Sequence, residues 1–142
     1  MLVIDASVAV KWLIPETGHE EASRVLDGRD ELIAPSIILM EVHAAILTRE
    51  RLGSLQPLSA KQSRELWTEM VADGAIRLVP FEELLPLGID CAIGARHPLA
   101  DCLYFAAGIR FDAVVVTADA AMCERGPRVQ AKVRMLGTIG GD

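Results

Sequence analysis

The chain has 142 residues, 51% of them apolar, with 14 Lys and Arg against 20 Asp and Glu. That length suits a single domain spanning residues 1–142. No run of about twenty apolar residues offers a membrane span, and a net charge of −6 argues against binding nucleic acid by general attraction, while the 14 basic residues leave room for a local basic strip.

In chain order, "LVI" reads as a buried strand that delivers Asp5 into the next turn. "SVAVKWL" and "HEEASRVLDG" follow as helices, the second stopped by Gly28. "ELIAP" is a short strand. "SIILMEVHAAILTRERLG" is a long helix opened near Pro35-Ser36 and stopped by Gly53, with Arg49 and Arg51 suiting its C-terminal end. "SAKQSRELWTEMVADG" is amphipathic, with Leu66, Trp67, Met70 and Val71 on one face. "AIRLVPF" is a third strand, residues 82–96 a helix whose start is blurred by Pro86 and Gly88, and "DCLYFAAGIRF" a further helix. "DAVVVTAD" is a strand without polar alternation, as one covered on both faces would be, and "RVQAKVRML" a last edge strand. The alternation predicts an α/β sandwich with a mostly parallel central sheet flanked by helices.

The N-terminus has neither the basic segment nor the cleavage site of a secretory signal. Cys91, Cys102 and Cys123 form no CxxC pair, which points to a reduced, cytoplasmic setting. His19, His43 and His97 are scattered without the spacing of a zinc site.

Four acids stand out from the solvated ones. Glu41, read as lying in the middle of the most apolar helix, has Ile37, Ile38, Ala44 and Ala45 at helical spacing and no basic partner there, so its stripe is otherwise apolar. Asp101 opens a helix, with Tyr104 and Phe105 three and four residues on. Asp5 and Asp119 each follow an apolar strand and so belong at the carboxyl end of the sheet, where open α/β sheets bind ligands. Helix capping, worth about 1 kcal/mol, explains Asp5, Asp101 and Asp119 singly; it does not explain Glu41, whose burial without a partner would be costly. If the four converge, two carboxylates about 4 Å apart repel by roughly 4 kcal/mol at an effective dielectric near 20. A hard cation, Mg²⁺ or Mn²⁺, relieves that repulsion and suits phosphodiester chemistry.

These residues resemble the PIN-domain ribonucleases, above all the VapC-type toxins of toxin–antitoxin pairs. "VIDASVAVKWLIPE", "APSIILMEVHAAI", "HPLADCLYFAAG" and "VVVTADAAM" resemble four segments of that family in the family's order. The resemblance implies a PIN-like three-layer sandwich and an RNA-cleaving reaction. It makes Asp5, Glu41, Asp101 and Asp119 a catalytic quartet around one or two Mg²⁺ or Mn²⁺ ions. Asp5 and Asp101 would be the principal ligands, Asp119 a direct or water-mediated one, and Glu41 a ligand or the group orienting the attacking water. Ser7 and Thr117 would steer the carboxylates, although capping explains both as well. The resemblance also implies an antitoxin partner that pushes an Arg or Lys into the acidic pocket, and a homodimer. Lys11, Arg24, Arg49, Arg51, Arg96 and Arg125 are candidate RNA phosphate contacts, each weighed against a solvated surface charge. Where many relatives carry Asn, three residues after the helical Glu, this chain has Ala44. His43 is read as a core or surface histidine. His97 lies four residues before Asp101, but Pro98 between them argues against a shared helical face.

The mean hydropathy of +0.32 is high. It reflects an Ala-, Leu- and Val-rich core, with some apolar surface of "SVAVKWLI" and "SIILMEVHAAIL" left for a partner. Two rival readings remain. An aspartyl-phosphate phosphohydrolase would use Asp5 as nucleophile, but the second Asp of a DxDxT pattern is replaced by Ser7. A catalytically silent PIN-fold binding module is the other, against which all four acids weigh.

Overall fold

The computed structural model describes residues 1–137, so positions 138–142 of the span assigned to the domain lie outside the described residues. Leu2–Ile4 forms strand β1 with every residue buried, the state an apolar run without polar alternation requires. Four more short strands are Leu32–Pro35 (β2), Arg77–Val79 (β3), Val114–Thr117 (β4) and Val133–Met135 (β5). They assemble in the order β3-β2-β1-β4-β5, all parallel, so β1 is central. Val3 stands level with Ile33 on one side and Val115 on the other.

Among the described residues seven helices flank the sheet: Ala6–Leu13 (α1), His19–Leu26 (α2), Ile38–Arg51 (α3), Pro57–Ala72 (α4), Phe81–Ala95 (α5), Leu99–Phe111 (α6) and Ala120–Arg125 (α7). The expected α/β sandwich is the observed one. α6 is buried continuously from Cys102 to Gly108, because it packs against α5 on one side and against β1, β2 and β4 on another. A helix covered on that many sides is apolar all round.

Several local expectations need correction. α3 starts at Ile38 rather than at Pro35-Ser36. Ser36 is used elsewhere: its N–H donates to Val79 O (2.8 Å) and its hydroxyl accepts from the Phe81 N–H (2.9 Å), satisfying an end of α5. α5 then begins cleanly at Phe81 and runs through Pro86. Of the expected apolar face of α4, Trp67 is buried and Met70 and Val71 pack against the core, but Leu66 is exposed, and Ala60 and Ser63 are buried in addition. The strand expected over 128–136 shrinks to Val133–Met135, since Gly126–Val129 forms a 3₁₀ turn closed by Gln130 in the left-handed region (φ 64°). α1 offers little apolar surface to a partner, because Val8, Ala9, Val10, Trp12 and Leu13 are all buried. On α3, by contrast, Leu39, Met40 and Leu47 are exposed.

Gly126 marks where β5 docks. A Cβ there would lie 2.3 Å from Val133 Cγ2, and a β-branched side chain has few rotamers into which to retreat. Gly126→Ala is therefore expected to destabilise the fold by about 1–3 kcal/mol, the range for overpacking, read as a lower urea midpoint with an unchanged slope.

The sheet order places the site. From β1 the chain steps outward through β2 and β3, then returns to add β4 on the opposite side of β1. The connections after β1 and β4 therefore diverge, and such a switch point opens a crevice at the carboxyl ends of the strands. Asp5 directly follows β1, and Ala118 and Asp119 directly follow β4.

Candidate active site

Asp5 is 5% exposed. Its N–H continues the sheet by donating to Val116 O (3.1 Å), which fixes its backbone between the two central strands. The Asp5 side chain makes no capping hydrogen bond of good geometry to α1 and interacts only weakly with the Ser7 N–H, so capping does not account for this residue. Instead Asp5 Oδ2 accepts from the Ser7 hydroxyl (2.5 Å) and from the Thr117 hydroxyl (2.9 Å). Both hydroxyls are themselves anchored: Ser7 Oγ accepts from the Ala118 N–H and Thr117 Oγ1 from the Asp119 N–H. Ser7 and Thr117 thus hold one oxygen of Asp5 to the end of β4 and leave Oδ1 for other work.

Glu41 lies in the first turn of α3, not mid-helix. Its Oε1 accepts from the hydroxyl of Tyr104 at 2.6 Å, and Tyr104 is fully buried. Asp101, in the first turn of α6 and partly exposed, has its Oδ2 2.8 Å from His97 Nε2. Pro98 does not prevent this contact, because it occupies the N-cap of α6, where proline causes no break. Asp119 is exposed and caps α7, with Oδ1 accepting from the Ala121 N–H (2.8 Å). Tyr104 and His97 were not among the expected site residues. A tyrosine three residues after Asp101, in a helix buried all round, was the available signal, since a buried phenol needs a partner.

The four acids repel one another. Burial pushes the Asp5 carboxyl above its ordinary range against the Ser7 and Thr117 hydrogen bonds, and the charge of Asp101 adds to the rise. Burial likewise raises Glu41 against the Tyr104 bond, with Asp5 and Asp101 adding. Burial raises Asp101 against the pull of His97, with Asp119 adding. Asp5, Glu41 and Asp101 thus form one electrostatic cluster, and Asp119 reaches it through Asp101.

Among the described residues, no three His, Cys, Asp or Glu side chains stand close enough to hold a metal ion between them. The donors nevertheless suit a hard cation. All are carboxylate oxygens, Asp5 keeps one oxygen outside its hydrogen bonds, and mutual repulsion is what a divalent ion would relieve. Mg²⁺ is commonly held by one or two carboxylates, with water and substrate phosphate completing its shell, so a closed three-carboxylate cage is not required.

Compared with known protein families, residues 2–126 match the PIN domain. The chain belongs to this family. The matched span contains all four acids and ends at Gly126, before β5. No curated protein matches the chain. PIN domains are generally nucleases, and those nucleases generally use divalent metals. No helix among the described residues of this PIN domain is long and apolar enough to cross a membrane.

The six basic candidates of the PIN domain divide into two groups. Lys11 binds Glu16 Oε1 (3.3 Å) and Thr17 O (2.7 Å). Arg49 grips both oxygens of Glu16 at 2.9 Å, and Arg125 donates to Ala95 O and Arg96 O at the end of α5. Those three brace the fold. Arg24, Arg51 and Arg96 are exposed, and no ion pair engages them among the described residues. His43 lies two residues from Glu41, hence on nearly the opposite side of α3. It lines a surface hollow with Arg64, Glu65, Thr68 and Glu69.

Proposed function

We propose that this PIN domain is a metal-dependent endoribonuclease, the toxin of a type II toxin–antitoxin pair, which hydrolyses RNA phosphodiesters at the acidic cluster. One observation carries the reading: the Asp5 carboxyl is buried at the switch point of a parallel sheet, its pKa raised by that burial and further by the charge of Asp101. Bound there, Mg²⁺ or Mn²⁺ supplies shielding of phosphate charge and activation of water. Asp5 and Asp101 hold the cation, with Asp119 joining directly or through water. Ser7 and Thr117 keep Asp5 in a single orientation. Glu41, with its pKa raised by burial and fixed by Tyr104, orients the attacking water and accepts its proton. Exposed Arg24, Arg51 and Arg96 are the better placed of the six basic candidates to meet RNA phosphates.

The exposed Leu39, Met40 and Leu47 of α3 supply apolar surface for an antitoxin or a second copy. A groove of about 220 Å³ continues that surface, lined by Ile37, Met40, Phe81, Leu85 and Leu99 with Glu41 at its edge. The aspartyl-phosphate alternative is disfavoured. Where that chemistry places a second acid, Ser7 uses its hydroxyl on Asp5 and on the Ala118 N–H.

The test is cleavage of total RNA by purified protein with EDTA, and with added Mn²⁺ or Mg²⁺. Cleavage dependent on the cation supports the reading; cation-independent cleavage, or none under any condition, removes it. A short neighbouring reading frame encoding a DNA-binding antitoxin would support the toxin role.

Tyr104→Phe isolates the positioning of Glu41. The ring packing is kept and only the hydroxyl is lost. Expected are a fall of about tenfold or more in cleavage, in line with the loss of an outer hydrogen bond to a site carboxylate, and a stability loss of about 1–2 kcal/mol. Cleavage kinetics and urea unfolding of the same sample measure both.

A further inference from the structure

We propose that His97 is a positioning residue for Asp101, fixing one oxygen of that carboxylate so that the other is presented to the cation. The inference rests on the nuclease reading above and deepens it. His97 Nε2 lies 2.8 Å from Asp101 Oδ2. An ionised carboxylate only accepts, so the ring must carry its proton on Nε2 and donate it.

The ring is held from several directions before it meets Asp101. The backbone N–H of His97 donates to Ala92 O at the end of α5 (3.3 Å), and its carbonyl lies 3.6 Å from the Cys102 thiol, the donor. Its imidazole packs on the buried ring of Phe105, with centroids 5.9 Å apart. The turn that delivers it passes through Arg96 in the left-handed region (φ 50°) and Pro98 at the helix N-cap. His97 is 9% exposed in its side chain and Asp101 28%, so the donor lies on the protein side of the carboxylate. The arrangement is parallel to that at Asp5, where hydroxyls occupy Oδ2 alone. In both acids one oxygen is secured from the protein side. Partners of this kind hold ligating groups in one orientation, and their loss weakens metal affinity by about 10–100-fold.

The probe is Mn²⁺ alone, titrated into apo protein with the thermal midpoint as readout and RNA cleavage measured in parallel. His97→Phe keeps a ring on Phe105 but has no donor; His97→Gln keeps an N–H donor near the Nε2 position but loses the ring. The Mn²⁺ concentration for a half-maximal shift is expected to rise about 10–100-fold in His97→Phe and to return to within a few-fold of wild type in His97→Gln, while the midpoints of the two apo proteins follow the opposite order. If His97→Phe binds Mn²⁺ like wild type, or His97→Gln is as impaired as His97→Phe, the side chain serves packing only and the inference is overturned. If wild-type protein shows neither a Mn²⁺ shift nor Mn²⁺-dependent cleavage, the nuclease reading itself has failed and the inference falls with it.

Discussion

Asp5→Asn is expected to lose at least about 100-fold in cation-dependent RNA cleavage, the upper end of what disturbing even outer partners of a metal site does. It is also expected to become more stable in metal-free buffer. Asn keeps an oxygen to accept from Ser7 and Thr117, so the hydrogen bonds that hold residue 5 survive. What disappears is a buried charge beside Glu41 and Asp101. About 1 kcal/mol moves the midpoint of a domain this size by about 3 °C, so loss of an unfavourable buried charge is readable in a thermal melt. A raised midpoint together with loss of cleavage would be the signature of a charge retained for function rather than for folding. A variant that is inactive and also several degrees less stable would show that Asp5 serves the fold, and would remove the argument built on it.

The second large effect is the response of stability to pH and to divalent ions. Asp5, Glu41 and Asp101 all have carboxyls raised in the folded state. Between their ordinary range and those raised values the native protein binds more protons than the unfolded chain. On this account stability falls as pH rises through the window, because its slope follows the protons bound by the unfolded chain minus those bound by the native one. Glu16 works in the opposite sense. Burial pushes its carboxyl up, but Arg49 and Lys11 together outweigh burial and hold it low, so its contribution is present above the ordinary carboxylate range and lost on acidification. Metal-free protein should therefore lose stability as pH rises from the ordinary carboxylate range through the raised values of these three groups. Mn²⁺ should reverse the loss, since it binds the deprotonated carboxylates. At about one hundred times its dissociation constant the ion adds about 2.7 kcal/mol, or about 8 °C by the same scale. Thermal melts at several pH values with EDTA and with Mn²⁺ measure this. A flat pH profile and no Mn²⁺ response would mean that the carboxylates do not act as one charged cluster.

Much of this was readable along the chain because the signals are local. The buried strands are uninterrupted apolar runs, as at Leu2–Ile4 and Val114–Thr117, and an acid just beyond such a run stands at a sheet's carboxyl end in any parallel arrangement. Glu41 was conspicuous because its helical neighbours are apolar. The four segments that resemble PIN domains lie within the span that matches the family.

The contacts that turn the acids into a site are not local. Thr117 reaches Asp5 across 112 residues and Tyr104 reaches Glu41 across 63, separations at which periodicity says nothing about who meets whom. Local rules also misled. Pro98 argued against a shared helical face for His97 and Asp101, and His97 indeed lies before the N-cap of α6; the contact forms anyway because the imidazole folds back over the first turn from outside the helix. Charge alone made Lys11, Arg49 and Arg125 equal to Arg24, Arg51 and Arg96 as phosphate contacts, until packing committed the first three to Glu16 and to the end of α5. Residue order thus sufficed for the type and sequence of elements and for which acids are anomalous, because those depend on neighbours a few positions away. Which oxygen of each acid is held, by what, and which cations are left over depended on the folding of β1 and β4 side by side and of α6 against both, since only that brings distant donors within hydrogen-bonding reach.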